Sequence, residues 1–355
     1  MVVSHAGRNV GDNLLAEILA DRLRVRWPNS VISSFTVNPI RLHVPGLVSL
    51  FPLRRGFAHS IWTFYRECRR ADQLVGFWAI QDRGSWRYAV FNLLPRAICF
   101  VALPRMVGLR LTFINVDAAE LGTRAGRLIA KFSLRHVERL VVRNEASASV
   151  VRELGREANA ITCDIGVLYR PATAREQRTR RVLINLRPVE LNGSAKLGLR
   201  RALNRLVEWA GADQIEILAM RDNDVGAAED LIETLGLDAS RIHQPETATA
   251  ASQLIQSAHC VVAMRLHAQI LSMVCGTPVF TIAYHEKNVH VAQAAEMGTW
   301  CVPAEDTDAL NERVQAFTDA IDRKTFPLPK LECAIQKARS TFDYVDICLS
   351  SGHAT

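Results

Sequence analysis

The chain has 355 residues, of which 49% are hydrophobic and 22% charged; this is too long for one ordinary core and too apolar for extended disorder, so two domains are expected. Eight cysteines, at positions 68, 99, 163, 260, 275, 301, 333 and 348, form no C-x-x-C pair, which argues against a zinc cage and a disulfide framework; the expected setting is a reducing cytoplasm, with no metal site. The formal net charge of +7 is unevenly held, with 28 Lys and Arg against 14 Asp and Glu in residues 1–181 and 15 against 22 in residues 182–355. The basic first half suits an anionic glycan, a diphosphate-linked lipid or the inner face of a membrane, which Arg66, Arg69, Arg70, Arg83 and Arg87 would meet.

The first residues, Met-Val-Val-Ser-His-Ala-Gly, lack the charged and apolar regions of a secretory signal. Strand-like runs then alternate with segments of helical period, the pattern of parallel sheets covered by helices in an α/β fold. Strands are expected near Val2 to Ser4, Val31 to Ser34, Gln73 to Gly76, Leu111 to Ile114, Leu140 to Val142 and Ala160 to Cys163. The clearest helix runs from Asn13 to Arg26, where Leu14, Leu15, Ile18, Leu19 and Leu23 make one apolar stripe. The greasiest stretch, Ala97 to Leu103, is bounded by Pro95-Arg96 and Pro104-Arg105 and is too short to cross a membrane, so no span is expected.

Residues 171–181 are polar and arginine-rich and read as a linker. After them strands are expected near Val182 to Leu186, Glu216 to Ala219, Cys260 to Ala263 and Val279 to Ala283, with helices at Leu199 to Trp209, Ala227 to Leu235 and His267 to Val274. The predicted organisation is an N-terminal Rossmann-like domain over 1–170, a C-terminal one over 182–329, the two facing one another across a cleft, and a final helix or tail in 330–355.

Two segments carry chemistry. From Ala258 to Lys287 the chain reads as strand, turn, helix, strand, with Gly276 and Pro278 fitting a helix stop and re-entry into the sheet. Arg265 and His267 then fall at the end of one parallel strand and the first turn of its helix, and Tyr284 and Lys287 follow a later strand on the same edge. The carboxyl edge of an open parallel sheet is where such folds bind ligands. A helix N-terminus, a guanidinium, an imidazole and an ammonium there suit a small, multiply charged anion. A blander reading pairs Arg265 with a carboxylate, makes His267 a helix cap and leaves Lys287 in solvent. The second segment, Gly7-Arg8-Asn9-Val10-Gly11-Asp12-Asn13, joins the first strand to the first helix, with Asp12 or Asn13 as cap. It has neither dinucleotide nor Walker spacing.

Together the segments resemble the polysaccharide pyruvyl transferase family, in which an N-terminal Asn-x-Gly-Asp turn is paired with a late Arg-Leu-His helix start and a Tyr-x-x-Lys. Here these read Asn9-Val10-Gly11-Asp12, Arg265-Leu266-His267 and Tyr284-His285-Glu286-Lys287. A third similarity is Val141-Val142-Arg143-Asn144-Glu145-Ala146-Ser147, followed by Glu153-Leu154-Gly155 and Asp164. The resemblance covers residues 9 to about 298 in order. It departs from the family at Val75 to Asp82 and Asn115 to Gly122, where glycine-rich turns are usual.

The resemblance implies a GT-B-like fold, phosphoenolpyruvate as donor, no cofactor, and a saccharide acceptor, free or lipid-linked, that receives a pyruvate ketal; it implies no nucleic-acid partner. The N-terminal domain is then expected to be the acceptor side and the C-terminal domain to hold the donor site. The chemistry of ketal formation then gives His267 the role of proton donor. Arg265 would hold the carboxylate or phosphate and Lys287 the leaving phosphate. Tyr284, Asn9, Gly11 and Asp12 complete the expected substrate-binding set, with Arg143 and Arg187, each just beyond a strand, reaching the same anion from across the cleft. Two rivals stay open: a GT-B-type nucleotide-sugar glycosyltransferase, and a non-enzymatic relative that binds a glycan or membrane surface. His285-Glu286 with His290 is one residue too long for a zinc protease pair, and a G-x-S-x-G elbow is absent.

Overall fold

The computed structural model describes residues 2–5, 9–36, 47–52, 57–171, 180–189, 191–236, 238 and 241–350; most of the linker read at 171–181 lies outside them. The chain divides into two compact units, one of Met1–Gly7, Leu15–Ile165 and Ile335–Thr355, the other of Arg8–Leu14 and Gly166–Ala334.

The first unit is built on seven strands: β1 (Val2–His5), β2 (Ile32–Thr36), β3 (Leu47–Pro52), β4 (Gln73–Ile80), β5 (Arg110–Ala118), β6 (Arg139–Val142) and β7 (Ala160–Ile161). Their order is β3-β2-β1-β4-β5-β6-β7, parallel throughout. Between the strands run α1 (Val10–Arg26), α2 (Phe57–Cys68), a long helix α3 (Trp86–Met106), α4 (Arg124–Arg135) and α5 (Glu145–Glu153). On α1, Leu14, Leu15, Leu19 and Leu23 are buried, as the stripe predicts, and Ile18 is half-buried. The core gathers around Phe64, Leu74, Trp78, Phe113 and Leu140.

The second unit has six strands: β8 (Val182–Asn185), β9 (Ile215–Leu218), β10 (Ile242–His243), β11 (Cys260–Ala263), β12 (Val279–Ala283) and β13 (Cys301–Pro303). Their order, β10-β9-β8-β11-β12-β13, is again parallel. The helices are α6 (Gly193–Ala210), α7 (Asp224–Leu235), α8 (Ala248–Ser257), α9 (Leu266–Val274), α10 (Glu286–Ala294) and α11 (Thr307–Asp322). Every residue of β8, β11 and β12 is buried, as expected of strands covered on both faces and hence continuously apolar in sequence. At the end of α9, Gly276 takes a φ of 65°, the left-handed turn that a β-carbon disfavours.

The last helix, α12 (Glu332–Ser350), begins in the second unit and continues in the first. There Thr341 bonds Thr162 at 2.9 Å, and Arg22 lies 5.6 Å from the centre of the Phe342 ring. Strands β3, β10 and β13 escape the sequence pattern. The last two are only 2 and 3 residues long, and all three end or edge a sheet, where alternation is weak.

The prolines that bound the greasiest stretch do not interrupt it. The helix runs continuously from Trp86 to Met106 because each proline follows a wider π turn, Ala89–Leu93 and Ile98–Ala102. The amides of Leu94 and Leu103 bond the carbonyls of Ala89 and Ile98, five residues back, and the irregular turns accommodate the rings of Pro95 and Pro104. By length and composition this helix could cross a bilayer. However, its inner face, including Leu93, Ala97, Phe100 and Val101, is buried in the core of the first unit.

Candidate functional site

The order of the second sheet reverses between β8 and β11, so the chain leaves these neighbouring strands toward opposite sides and opens a crevice at their carboxyl ends. Arg187 follows β8, Arg265 follows β11, and Tyr284 and Lys287 follow β12. His267 is the second residue of the helix after β11, so Arg265, His267, Tyr284 and Lys287 fall on the one edge expected from sequence, and Arg187, expected to reach it from across the cleft, lies on the same edge.

Arg265 is the N-cap residue of α9 and makes no side-chain cap bond to it. Its guanidinium is instead engaged by Asp224 through Nε, at 3.1 and 3.0 Å, and through Nη2, which also reaches Asn223 Oδ1 at 3.1 Å. The Asp224 side chain is fully buried and that of Arg265 is 15% exposed. Asn185, at the end of β8, accepts a bond from the Arg265 amide at 2.9 Å while its own amide donates to the Leu218 carbonyl at 2.7 Å. Arg265 is thus a braced ion-pair partner, the blander alternative, because the low dielectric around Asp224 requires a permanent counter-charge.

His267 is the second residue of α9 and half-buried. A β-carbon placed on Gly11 would lie 1.9 Å from His267 Nδ1. The glycine of the N-terminal turn therefore leaves room for the imidazole to pack on the backbone of α1. The turn is fixed by Asn9, which caps α1: its Oδ1 accepts from the Asp12 amide at 2.7 Å, and its Nδ2 donates to Asp12 Oδ2 at 2.8 Å. Asn9, rather than Asp12 or Asn13, is the cap, because it sits immediately before the helix and three residues before the amide its side chain caps, whereas Asp12 and Asn13 already lie inside the helix. The turn is tied to the second sheet by an isolated bridge between Asn9 and Arg221 and by the Val10 amide bonding the Met220 carbonyl at 3.2 Å.

Tyr284, Arg187 and Lys287 form one cluster. The Arg187 guanidinium lies 4.0 Å and the Lys287 ammonium 5.6 Å from the centre of the Tyr284 ring. Burial raises the Tyr284 phenol, but the two cations and their hydrogen bonds to it outweigh that effect and hold its pKa below the usual value. Among the described residues no carboxylate pairs with Arg187 or Lys287. This uncompensated charge can receive an anion. A cavity of ≈ 780 Å³ shares Arg187; its wall combines apolar residues such as Leu186, Leu199, Leu203 and Leu231 with the charged Lys196, Arg200 and Asp230.

Asn288, fully buried one residue beyond Lys287, donates to the Met264 carbonyl at 3.1 Å and to Gln269 Oε1 at 3.2 Å, and Gln269 donates to the Asn288 carbonyl at 3.0 Å. These amides lock α10 to α9 and to the strand end before Arg265. Sequence reasoning missed Asn185, Asp224, Gln269 and Asn288. Asn288 and Gln269 could have been noticed as polar residues on otherwise apolar helix faces.

Arg143 lies in the first unit, not in this cluster. Its guanidinium pairs with Asp117 and, at 3.2 Å, with Asp164. Nearby in sequence to the departures from the family, Asp82 is fully buried and accepts from the amides of Gly84 at 3.0 Å, Gly122 at 3.0 Å and Thr123 at 2.7 Å, and from the Thr123 hydroxyl at 2.6 Å. Burial raises its pKa, but these hydrogen bonds prevail and lower it. A β-carbon on Gly126 would come within 2.4 Å of Asp82 Oδ2. These segments thus close on an internal carboxylate.

Residues 120–286 match the model of the polysaccharide pyruvyl transferase family, a little under half of the chain; the match spans β6, Arg143, Arg265 and His267 and ends two residues past Tyr284. It supports a transferase and polysaccharide pyruvylation in general. No curated protein matches the chain. Among solved structures, a putative UDP-N-acetylglucosamine 2-epimerase from Listeria monocytogenes is 11% identical with a TM-score of 0.60, covering 99% of this chain and 97% of its own. HepE from Anabaena, solved with UDP-glucose, is 13% identical with a TM-score of 0.57, covering 98% and 97%. WaaG, a glycosyltransferase involved in lipopolysaccharide biosynthesis, is 15% identical with a TM-score of 0.51, covering 99% and 98%. At such identities the likeness is one of fold, and the fold is GT-B-like.

Proposed function

We propose that this chain, a match to the polysaccharide pyruvyl transferase family over residues 120–286, transfers the pyruvyl group of phosphoenolpyruvate to two hydroxyls of a saccharide as a ketal. The observation that carries the reading is the cation cluster at the carboxyl edge of the second sheet, with His267 on the first turn of α9. In the reaction, the imidazolium protonates the methylene carbon of the donor, and one sugar hydroxyl attacks the adjacent carbon. The bond from that carbon to the phosphate oxygen breaks, and the second hydroxyl takes its place. Of the two hydroxyl protons, one restores the imidazolium and the other leaves with phosphate. Arg187 and Lys287 neutralise the donor's charge and the departing phosphate, and Tyr284 holds both cations in place. Arg265 positions the helix start through Asp224 rather than gripping the donor.

Calorimetry with phosphoenolpyruvate in a metal-free buffer tests the donor. Binding is expected, because the site supplies its own positive charge. Absence of heat with phosphoenolpyruvate, together with clear binding of a uridine diphosphate sugar, would establish the glycosyltransferase reading instead.

A further inference from the structure

Of the thirteen large hydrophobic side chains exposed among the described residues, seven lie on α3 and α4: Trp86, Phe91, Leu94, Ile98, Met106, Leu128 and Phe132. The two helices pack on one another, so these side chains are concentrated in one region. Phe91 is 70% exposed and Phe132 52%. Such a concentration of exposed apolar side chains is uncommon unless something covers it.

The two helices themselves carry charge of one sign. Residues 83–116 and 121–137 contain nine Arg and Lys and not one Asp or Glu. Arg83, Arg87, Arg105, Arg124, Arg127, Lys131 and Arg135 are exposed. On α4 the stripe of Leu128 and Phe132 is flanked by Arg124, Arg127, Lys131 and Arg135, the pattern of a helix that lies in a membrane interface with its apolar side chains inserted and its cations at the phosphates.

We propose that the exposed faces of α3 and α4 form an in-plane docking surface for an anionic lipid bilayer. The helix does not span, since its other face belongs to the core of the first unit. A second copy of the chain is a poor occupant, because two faces of the same positive charge repel. Nucleic acid would use the arginines but leaves Leu94, Ile98, Leu128 and Met106 without a partner, whereas hydrocarbon takes them. This surface adds short-range insertion to the long-range attraction of a basic half, and its function would be to bring the enzyme to lipid-borne acceptors. The docking itself does not depend on the pyruvyl-transfer reading; the lipid-borne acceptor does.

Flotation of the full-length protein with vesicles, in the absence of any donor or acceptor, tests the proposal. The wild type is expected to float with vesicles of phosphatidylglycerol and phosphatidylcholine and to float several-fold less with phosphatidylcholine alone. Raising salt should weaken flotation without abolishing it, since screening removes the charge attraction and not the insertion. The double variant Phe91→Ser/Phe132→Ser should lose at least tenfold in bound fraction at low salt. Leu328→Ser, which removes an equally exposed side chain elsewhere, should float like the wild type. Because the two phenylalanines are already exposed, the double variant should unfold at an unchanged temperature, which separates loss of docking from loss of fold. Equal recovery with neutral and anionic vesicles, or a double variant that floats as the wild type does, would overturn the proposal. So would a wild type that fails to float but forms a dimer that the double variant abolishes.

Discussion

At the carboxyl edge of the first sheet, Arg143 pairs with Asp117 and Asp164, and Asp82 is held by three amides and a hydroxyl. At the corresponding edge of the second sheet, Arg265 is likewise matched by Asp224, but Arg187 and Lys287 face a phenol and no described carboxylate. Net charge points the other way: the first half of the sequence is strongly basic and the second acidic. Overall charge therefore governs what the surface attracts at a distance, while the site depends on which few cations the fold leaves uncompensated.

This contrast can be broken in several places. The largest effect is expected at His267. His267→Gln should lower turnover by roughly 10² to 10⁴ with little change in donor affinity, as for loss of a general acid; single-turnover phosphate release beside calorimetry separates the two quantities. A stable variant with near-normal turnover would remove the imidazole from the chemistry.

Next comes Arg265→Ala, which leaves the buried Asp224 unpaired and should destabilise the second unit by about 3–5 kcal/mol, seen as an earlier denaturation midpoint. Arg187→Met should behave oppositely, with stability near that of the wild type and donor binding weakened about tenfold or more. If Arg265→Ala kept full stability and lost only affinity, the roles of the two arginines would be exchanged.

In the first unit, Asp82→Asn replaces an acceptor-only group that receives four hydrogen bonds, and should cost about 1–3 kcal/mol while leaving donor affinity alone. Asp82 has a lowered pKa, so the stability it contributes is present above the ordinary carboxylate pKa and lost as pH falls through the lowered value. Acid unfolding of the variant should be correspondingly less steep in that window. The smallest effect is spectroscopic: Lys287→Met should raise the Tyr284 phenol toward its usual value, which ultraviolet titration would register.

Much of this architecture was readable. Strands β11 and β12 and helix α9 are long apolar runs punctuated by Gly276 and Pro278, and their bounds follow from the pattern almost residue for residue. The edge shared by Arg265, His267, Tyr284 and Lys287 follows in turn from parallel connectivity, whereas Arg187, expected from across the cleft, joins it at the end of β8. What sequence did not yield was pairing: nothing local to Arg265 reveals Asp224, 41 residues earlier, and nothing local to Gly11 reveals an imidazole more than 250 residues away. The helix through Pro95 and Pro104 was hidden for another reason, since a π turn that accommodates proline leaves no distinct mark on hydrophobic period.

The central question is where the donor's charge is received. Phosphoenolpyruvate should be titrated calorimetrically into the double variant Arg187→Met/Lys287→Met and, beside it, into Arg69→Ala/Arg70→Ala, which removes two exposed arginines of the basic half. Removing two charged hydrogen bonds, worth roughly 1.5–3 kcal/mol each, should weaken binding to the first variant by about 100-fold or more, and the second should bind as the wild type does. Unchanged affinity in the first variant, or a loss confined to the second, would contradict the assignment of Arg187 and Lys287 as the groups that receive the donor.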